Sequence, residues 1–454
     1  MSTEAIDRPV GRTRRARAGN RIDDWRPDDE DFWRSGGERV ARRNLIFSIL
    51  SEHVGFAVWS LWSVFVLFLG PQYGFDAAQK FLLTALPAAA GALLRLPYTF
   101  AVARFGGRNW TVVSAALLLV PCIAAAAVLE PGVSFGTLLA AAVLAGVGGG
   151  NFASSMANIN AFYPQRLKGW ALGLNAGGGN LGVAAVQLVG LAILATAGAG
   201  HPRLVLLVYI PLVVIAATCA ALFMDNLASA RNERRAMRDA LRDGHSWVIS
   251  LLYIGTFGSF IGFSFAFGQV LLVQFGDSFS TPVKAAYLTF LGPLLGSFAR
   301  PLGGRLSDRL GGSRVTFWTF AAMAAAAGLV LTASLTGSLP LFIAGFLALF
   351  VLSGIGNGST YKMIPAIFSA RARAAADAAA AERDARRLSA GLIGVAGAVG
   401  ALGGVLVNLA FRQSFLGSGT GDAAYVAFIC FYAVCLVVTW AVYLRPRAGR
   451  LPGV

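Results

Sequence analysis

The sequence predicts an all-α membrane protein with twelve transmembrane helices, arranged as two pseudo-symmetric six-helix halves. Of its 454 residues, 56% are hydrophobic and only 13% are charged, and the mean hydropathy is +0.65, which disfavours the soluble globular class. Many apolar runs are long enough for a helix of about 20 residues to cross a bilayer. A stretch of the first half also recurs in the second half, which indicates internal duplication.

Twelve apolar runs can be placed along the chain, and an arginine-rich stretch divides six from six. The first run follows 43 polar residues without a small-residue cleavage pattern, so we interpret it as a retained span rather than a signal peptide. We therefore predict a cytoplasmic N-terminal segment, a six-helix bundle, a cytoplasmic linker, a second six-helix bundle and a cytoplasmic tail, at 1–43, 44–224, 225–245, 246–444 and 445–454. The predicted spans 1 to 12 are 45–69, 77–102, 109–129, 134–162, 168–196, 204–224, 247–275, 284–305, 314–335, 339–367, 388–411 and 423–444.

The positive charge lies at the chain ends and at alternate connections. The formal net charge is +16, and its cations concentrate in "RTRRAR", "RNERRAMRDALR", "RARAAADAAAAERDARR" and "RPRAGR". The opposite connections, such as "EPGVSFG" and "TGSLP", carry few. By the positive-inside rule, this distribution predicts a multi-pass protein of the cytoplasmic (inner) membrane with both termini in the cytoplasm. Because the cations do not share one soluble face, we expect no nucleic-acid partner. We also expect a lipid bilayer around the protein and a monomer.

Neither metal chemistry nor enzymatic chemistry is indicated. The cysteines lie in apolar runs without ligand spacing, so we expect no metal, no cofactor and no disulfide framework. Of the three histidines, two lie outside the spans, and none belongs to a Cys/His cluster, which argues against a membrane enzyme. The residues concerned are Cys122, Cys219, Cys430, Cys435, His53, His201 and His245.

The two halves repeat one another. "LTALPAAAGALLRLPYTFAVARFGGR" (83–108) aligns without a gap with "LTFLGPLLGSFARPLGGRLSDRLGGS" (288–313) at an offset of 205 residues, and this alignment pairs Arg95 with Arg300. A second echo pairs "GVGGG" (146–150) with "GIGNG" (354–358). Duplication of six plus six spans is typical of transporters that bind substrate near the bilayer midplane, between the repeats.

Arg95 and Arg300 are cations placed deep inside apolar spans. Arg95 lies eleven residues before the turn at Gly106, which is roughly 16 Å, or about half of a 30 Å hydrocarbon layer. An arginine at that depth costs at least about 2.5 kcal/mol, so it should face a cavity and a partner. A structural ion pair would need a carboxylate at the same depth, yet we place the one acid inside a span, Glu52, near the cytoplasmic end of span 1. We therefore expect a ligand anion to supply the missing charge.

The choice of arginine favours a flat oxyanion. The guanidinium is a planar fork of donors that can hold two oxygens at once, and it never deprotonates. Two such forks facing each other would clamp a small planar anion.

Glycines line one face of span 5 and one face of span 11. Gly169, Gly173 and Gly177 follow one another at one-turn spacing, and "GLIGVAGAVGALGG" (391–404) has glycine at every third position, including Gly394, Gly397 and Gly400. Such faces let helix backbones approach closely in lipid. We expect a narrow central cavity between helices that can rock, although ordinary packing seams would leave the same pattern.

Polar and aromatic side chains near these faces are further candidates. Asn175 interrupts the glycine pattern of span 5 with an amide that can donate to an anion, although buried asparagines also bridge helices. Tyr253 and Phe257 share one face of span 7 at a spacing of four residues. Spacing alone leaves open whether they contact a substrate or only the core.

Several blocks of the chain resemble known families. "GGRLSDRLGGSR" (303–314), which contains Asp308, resembles the loop signature of the major facilitator superfamily, and this implies the major facilitator fold with a gating or packing role for Asp308. The block from 148 to 188, "DDWRPDDEDFW" (23–33), "LLYIGTFGSFIGFSFAF" (251–267) and "GNGSTYKMI" (356–364) closely resemble the nitrate/nitrite porter family of that superfamily. The N-terminal "DWRP" segment is similar to the branch that includes nitrate/nitrite exchangers.

This resemblance implies nitrate and nitrite as substrates and assigns roles to the candidates. It implies that Arg95 and Arg300 grip the anion, that Asn175 and Tyr253 hydrogen-bond it, and that Phe257 packs against its flat face. Gly173 is placed with them among the substrate-binding residues. The glycine faces, with Gly169, Gly177, Gly394, Gly397 and Gly400, are expected to pack against spans 8 and 2 during rocking.

The chain departs from the family pattern at a few positions. Val147 stands where an aromatic wall is expected from span 4, and Lys362 stands where a neutral glutamine is expected. Glu52 and His53 stand where exchanger relatives are apolar.

We expect nitrate/nitrite exchange by alternating access, because a site with two like charges should reorient more easily when an anion is bound. The alternative is proton-coupled nitrate symport, for which Glu52 and His53 are the candidate titrating groups.

Overall fold

The computed structural model describes residues 20–228, 234–279, 281–373, 377–446, 451 and 454. The basic run "RTRRAR" and most of the predicted tail lie outside the described residues. The described chain is helical almost throughout. Its one strand pairing in that part joins β1 (Arg21–Ile22) to β2 (Asn226–Leu227) in parallel, which the sequence did not indicate.

Six spans form the first half. Spans 1, 3 and 4 are each interrupted once, whereas spans 2, 5 and 6 are continuous. Their bounds are Glu38–Trp59 with Leu61–Phe68, Ala77–Phe105, Gly107–Leu117 with Leu119–Val128, Phe135–Leu144 with Val147–Phe162, Gln165–Thr196, and Leu204–Phe223.

Six further spans form the second half, after a short linker helix at Arg234–Arg242. Span 7 contains a π-helical turn at Ile254–Gly258. The bounds of spans 7 to 12 are Gly244–Tyr253 with Ser259–Gln274, Pro282–Thr289 with Leu291–Leu310, Gly312–Leu335, Leu339–Ala372, Ala378–Ser418, and Asp422–Thr439 extended by Trp440–Leu444.

Eleven helices of the described chain are long and apolar enough to cross a membrane. Span 8 is the twelfth span, and it does not belong to those eleven. It is broken at Phe290, and its second segment, Leu291–Leu310, carries Arg300 together with the charged residues of its C-terminal end. The twelve-helix prediction is confirmed, and Arg300 lies in the span that is not among the eleven most apolar ones.

The N-terminal segment packs against the first half. The Trp25 Nε1 donates to the carbonyl of Phe162 at 3.2 Å, and the Asp28 carboxylate accepts from the backbone N–H of Gln165 at 2.8 Å. Both contacts lie at the turn between spans 4 and 5. The helix of span 1 begins at Glu38, seven residues before the predicted start at 45, because its first two turns are polar and carry no hydropathy signal.

The two halves meet along spans 2 and 11. At one end of this seam, Phe81 stacks on Phe411 with ring centroids 5.8 Å apart, and the Thr84 hydroxyl donates to the Asn408 side-chain carbonyl at 2.8 Å. Further along, the seam passes Arg95 and Gly397. The linker helix lies against the N-terminal part of span 11, where a Cβ at Gly391 would come within 2.7 Å of the Ala236 carbonyl oxygen.

Candidate anion-binding site

Arg95 is fully buried, and two of its three side-chain nitrogens have backbone partners. Its Nε donates to the Gly149 carbonyl at 3.1 Å, and its Nη1 donates to the Gly397 carbonyl at 2.6 Å. Span 4 approaches closely enough because a Cβ at Gly149 would meet the Gly91 Cα at 2.7 Å. The Nη2 has no hydrogen-bond partner among the described residues. One edge of the guanidinium is therefore held in place, and the other is free to donate.

Aromatic rings surround the same guanidinium. Its central carbon lies 4.5 Å from the ring centroid of Phe152, 4.9 Å from that of Phe257 and 5.4 Å from that of Trp59. Phe152 and Phe257 are stacked with each other at 6.0 Å. A desolvated cation over aromatic faces is attracted to them by about 2 kcal/mol or more. These rings stabilise the buried charge without neutralising it.

Arg300 occupies the equivalent place in the second half and is also buried. Its Nη2 donates to the hydroxyl oxygen of Tyr253 at 3.3 Å, and its Nη1 is unpartnered in the described chain. The rings of Tyr253 and Phe257 stack at 5.2 Å with an angle of 8° between their planes. The π-helical turn between them produces this alignment, and π-turns of this kind are frequent at functional sites.

The two guanidiniums face one site. Arg95 lies over the ring of Phe257, and that ring stacks on Tyr253. The hydroxyl of Tyr253 in turn accepts a hydrogen bond from Arg300. In the described part of the chain neither forms an ion pair with a carboxylate, since the ion pairs there involve other residues. Each keeps one buried N–H group without a partner. Two cations with free donors can bind one oxyanion between them.

Glu52 lies deeper than the sequence suggested. Its carboxylate is fully buried and accepts hydrogen bonds from the Ser155 hydroxyl and, at 2.6 Å, from the Asn175 amide. The expectation of an acid near the cytoplasmic end of span 1 was wrong, because the helix starts at Glu38 and Glu52 is therefore roughly 21 Å along it. Span 1 therefore does bring a buried carboxylate into the interior, but its hydrogen-bond donors are the neutral side chains of Ser155 and Asn175.

Asn175 is turned toward Glu52. Its Nδ2 donates to the Glu52 carboxylate and to Ser155, while its Oδ1 is unpartnered in the described chain. A hydrogen bond from this amide to an anion would require Glu52 to release it. Gly173, placed with Asn175 by the sequence, is exposed on span 5 and does not belong to the buried cluster.

His53 and Glu52 have different surroundings, although they are adjacent in sequence. Successive residues of an α-helix point about 100° apart. The His53 Nδ1 is 3.1 Å from the Gly178 carbonyl oxygen, whereas Glu52 contacts Ser155 and Asn175. The structure therefore brings Glu52, and not His53, into the cluster of buried polar groups around the arginines.

The close-packed glycines of span 5 are not the ones the spacing indicated. A Cβ at Gly169 would meet one atom at 3.8 Å, and one at Gly177 would meet nothing within 4 Å. By contrast, a Cβ at Gly179 would come within 2.3 Å of the Glu52 Oε1, and one at Gly182 within 2.1 Å of the His53 carbonyl oxygen. The tight seam of span 5 therefore faces span 1 of its own half, although span 5 also packs against span 8.

The glycines of span 11 lie at the centre of the molecule. A Cβ at Gly394 would meet the Met237 Cε at 3.3 Å, one at Gly397 the Phe152 ring at 3.5 Å, and one at Gly400 the Tyr253 ring at 2.4 Å. Gly394 therefore lies beside the linker helix and Gly397 beside Arg95. Gly400 lies beside Tyr253, which accepts a hydrogen bond from Arg300. Small residues here let span 11 contribute a carbonyl to Arg95.

Asp308 pairs with Lys362 in the C-terminal parts of spans 8 and 10. The Lys362 Nζ lies 2.8 and 3.1 Å from the two carboxylate oxygens, and both side chains are partly exposed. This pair joins two helices of one half. It lies near Gly169 of the other half, whose Cβ would be 3.8 Å from the Lys362 Nζ.

Sequence reasoning missed several residues of the site. Phe152 supplies the aromatic wall of span 4, whereas Val147 packs in a separate apolar cluster of the first half. Tyr361 lies beside Arg300, with the guanidinium carbon 5.6 Å from its ring centroid. Both follow the glycine echo that pairs span 4 with span 10, and that echo was the available signal. An aromatic residue in an apolar helix does not otherwise stand out.

Comparison with known proteins agrees with this architecture. The sequence profile of the Major Facilitator Superfamily matches residues 53–407. The nitrate/nitrite transporter NarU of Salmonella typhimurium is 39% identical over 452 residues, which cover 94% of this chain and 96% of that protein. The probable nitrate/nitrite antiporter NarK2 of Thermus thermophilus is 33% identical over 463 residues, covering 95% and 98% of the two chains.

The fold also matches solved structures. A partially occluded, inward-open structure of the xylose transporter XylE from E. coli superposes with a TM-score of 0.64, covering 90% of this chain and 98% of that chain. The sequences are 13% identical, so this match concerns the fold alone.

Two glycines of span 5 provide a test of the seam with span 1. We expect Gly179→Ala to lower the free energy of unfolding of the detergent-purified protein by about 1–3 kcal/mol, and its melting midpoint with it, because the added Cβ would overlap the Glu52 carboxylate. Gly177→Ala on the same helix should leave stability unchanged or slightly higher, since its Cβ meets nothing. Equal melting midpoints for the two variants would contradict this packing.

Proposed function

The chain belongs to the nitrate/nitrite porter family of the Major Facilitator Superfamily, and from this premise we propose that it exchanges nitrate and nitrite across the cytoplasmic membrane by alternating access. One observation carries the proposal: two buried guanidiniums, one from each half, each keep a free N–H group and have no paired carboxylate among the described residues. The relatives' names, nitrate/nitrite transporter and antiporter, support the choice of anion.

In the proposed bound state, one planar anion lies between Arg95 and Arg300. The Nη2 of Arg95 and the Nη1 of Arg300 donate to its oxygens, because these are the nitrogens without protein partners. Phe257 packs against the anion's face, and Tyr253 orients Arg300 through the hydrogen bond to its Nη2. We assign Asn175 a conditional role, since its amide is engaged by Glu52 until that contact opens. Gly173 receives no role in binding.

Charge compensation favours exchange over uniport. Two guanidiniums that share one site repel each other, and a bound anion would compensate that charge. Reorientation is therefore easier with an anion bound than without one, so influx of one anion is linked to efflux of the other. Nitrate entry by uniport would also be uphill by about 2.3 kcal/mol per 100 mV of negative-inside potential.

The seam between spans 2 and 11 would separate during the transition. The bond from Arg95 to the Gly397 carbonyl crosses this seam, so the anion's ligand is in contact with both halves. Gly394, Gly397 and Gly400 would let span 11 move against its neighbours without large side chains in the way. We propose that Asp308, through its pair with Lys362, stabilises the cytoplasmic end of the second half during this movement.

Proton-coupled symport is the second candidate, and the position of Glu52 favours it. Its carboxylate is buried beside the anion site, and its Oε1 is without a partner in the described chain. Protonation of this group would change the charge that an incoming anion meets. His53 is the weaker candidate for coupling, because it contacts a backbone carbonyl away from the cluster. In either mechanism we propose that both termini are cytoplasmic and that the monomer is the working unit.

Lysine substitutions test the clamp. Arg95→Lys and Arg300→Lys should each abolish most nitrate exchange in proteoliposomes, because an ammonium group has no planar fork that could bind the arginine's protein partners and the anion together. The matched control is Arg104→Lys, an exposed arginine of the same helix as Arg95, which should transport normally. A lysine variant at position 95 or 300 with unchanged nitrate affinity would contradict the proposal that both guanidinium groups bind the anion.

A neutral isostere separates exchange from symport. Glu52→Gln should leave nitrite-driven nitrate exchange intact, because exchange needs the arginines and not a titrating carboxyl. The assay traps nitrite inside proteoliposomes together with a pH indicator. If the variant loses exchange and the wild type moves protons with nitrate, symport replaces exchange as the mechanism.

A further inference from the structure

Tyr361 brings a hydroxyl to the anion site that no protein group satisfies in the described chain. It lies on span 10, with its ring 5.6 Å from the guanidinium carbon of Arg300 and 6.1 Å from the ring of Tyr253. Its hydroxyl oxygen is buried and has no hydrogen-bond partner among the described residues. A buried hydroxyl without a partner is costly, so this one calls for an explanation.

The ring of Tyr361 belongs to the cluster of side chains around the two arginines. It lies beside Arg300 and Tyr253. Tyr253 in turn stacks on Phe257, the ring beside Arg95. In that cluster, Arg95 Nη2, Arg300 Nη1 and the Tyr361 hydroxyl are three buried donors without protein acceptors in the described chain.

We propose that Tyr361 is a specificity-determining residue of this site, whose hydroxyl donates to the third oxygen of nitrate. This inference rests on the proposed function. Nitrate is planar with three oxygens, and nitrite has only two. Two oxygens of either anion can accept from the arginine nitrogens, so only nitrate leaves an oxygen for the tyrosine.

The asymmetry between the two anions follows from unpaired donors. A site built with a hydrogen-bond donor discriminates against a ligand that lacks the matching acceptor, because the buried donor is then left unsatisfied. Bound nitrate satisfies all three donors, whereas bound nitrite leaves the Tyr361 hydroxyl without an acceptor. Tyr361 thus favours nitrate over nitrite at a site that holds both.

The test compares Tyr361→Phe with Tyr98→Phe. Phenylalanine keeps the ring beside Arg300 and removes an unpaired hydroxyl, so the variant should fold at least as well as the wild type. Tyr98 is the matched control, because its hydroxyl is also buried and unpartnered in the described chain, and its ring packs edge-on against Trp110 at 5.0 Å, outside the arginine cluster.

Dissociation constants for nitrate and nitrite would be measured by calorimetry on the purified full chain. For Tyr361→Phe, the nitrate constant should rise about tenfold, the effect of one hydrogen bond to an ion, while the nitrite constant stays within about twofold. Tyr98→Phe should leave both constants at the wild-type values.

Three results would overturn the inference: an unchanged nitrate constant, an equal loss for nitrate and nitrite, or an effect confined to pH dependence, which would assign the hydroxyl to Glu52. Each of these leaves the proposed transport function standing if the wild type binds nitrate and the lysine variants of Arg95 or Arg300 do not. Failure of the wild type to bind either anion would instead remove the proposed function itself.

Discussion

Two guanidinium groups lie buried at the centre of the molecule, and in the described chain neither is paired with a carboxylate. The packing around the site has to stabilise these two charges. A cation in such a place needs hydrogen-bond acceptors and polarisable neighbours. For Arg95 these are the carbonyls of Gly149 and Gly397 and the rings of Phe152 and Phe257. The protein gives Arg95 two backbone acceptors and Arg300 one tyrosine hydroxyl, and it leaves a buried nitrogen of each without a partner in the described chain. Those two nitrogens can donate to an anion from solution.

The same interactions connect binding to the contact between the halves. Arg95 belongs to the first half, yet its shortest hydrogen bond is to Gly397 of the second half. Phe152 of the first half and Phe257 of the second stack on each other, and their ring centroids lie 4.5 and 4.9 Å from the central carbon of that guanidinium. Separation of the halves on one side of the site must therefore break or rearrange contacts of a residue proposed to hold the substrate. Binding and opening cannot be independent in such an arrangement.

The sequence predicted the layout that depends on local composition and repetition. Hydropathy gave twelve spans, and the offset between the repeats placed Arg95 and Arg300 at matching depth. It could not predict the depth of Glu52, because the polar first turns of span 1 carry no hydropathy signal. It also misjudged Gly177, because the face that packs tightly depends on the rotation of span 5 against span 1. Phe152 and Tyr361 were missed because an aromatic residue in an apolar span has no distinguishing pattern.

A structure determined with nitrate bound would show whether the two arginines hold the anion together. We expect one anion between the halves, with oxygens about 2.7–3.2 Å from both the Arg95 Nη2 and the Arg300 Nη1. Glu52 should remain outside the direct contact shell of both guanidiniums. An anion bound elsewhere, or a Glu52 carboxylate bridging the two arginines in its place, would contradict the account.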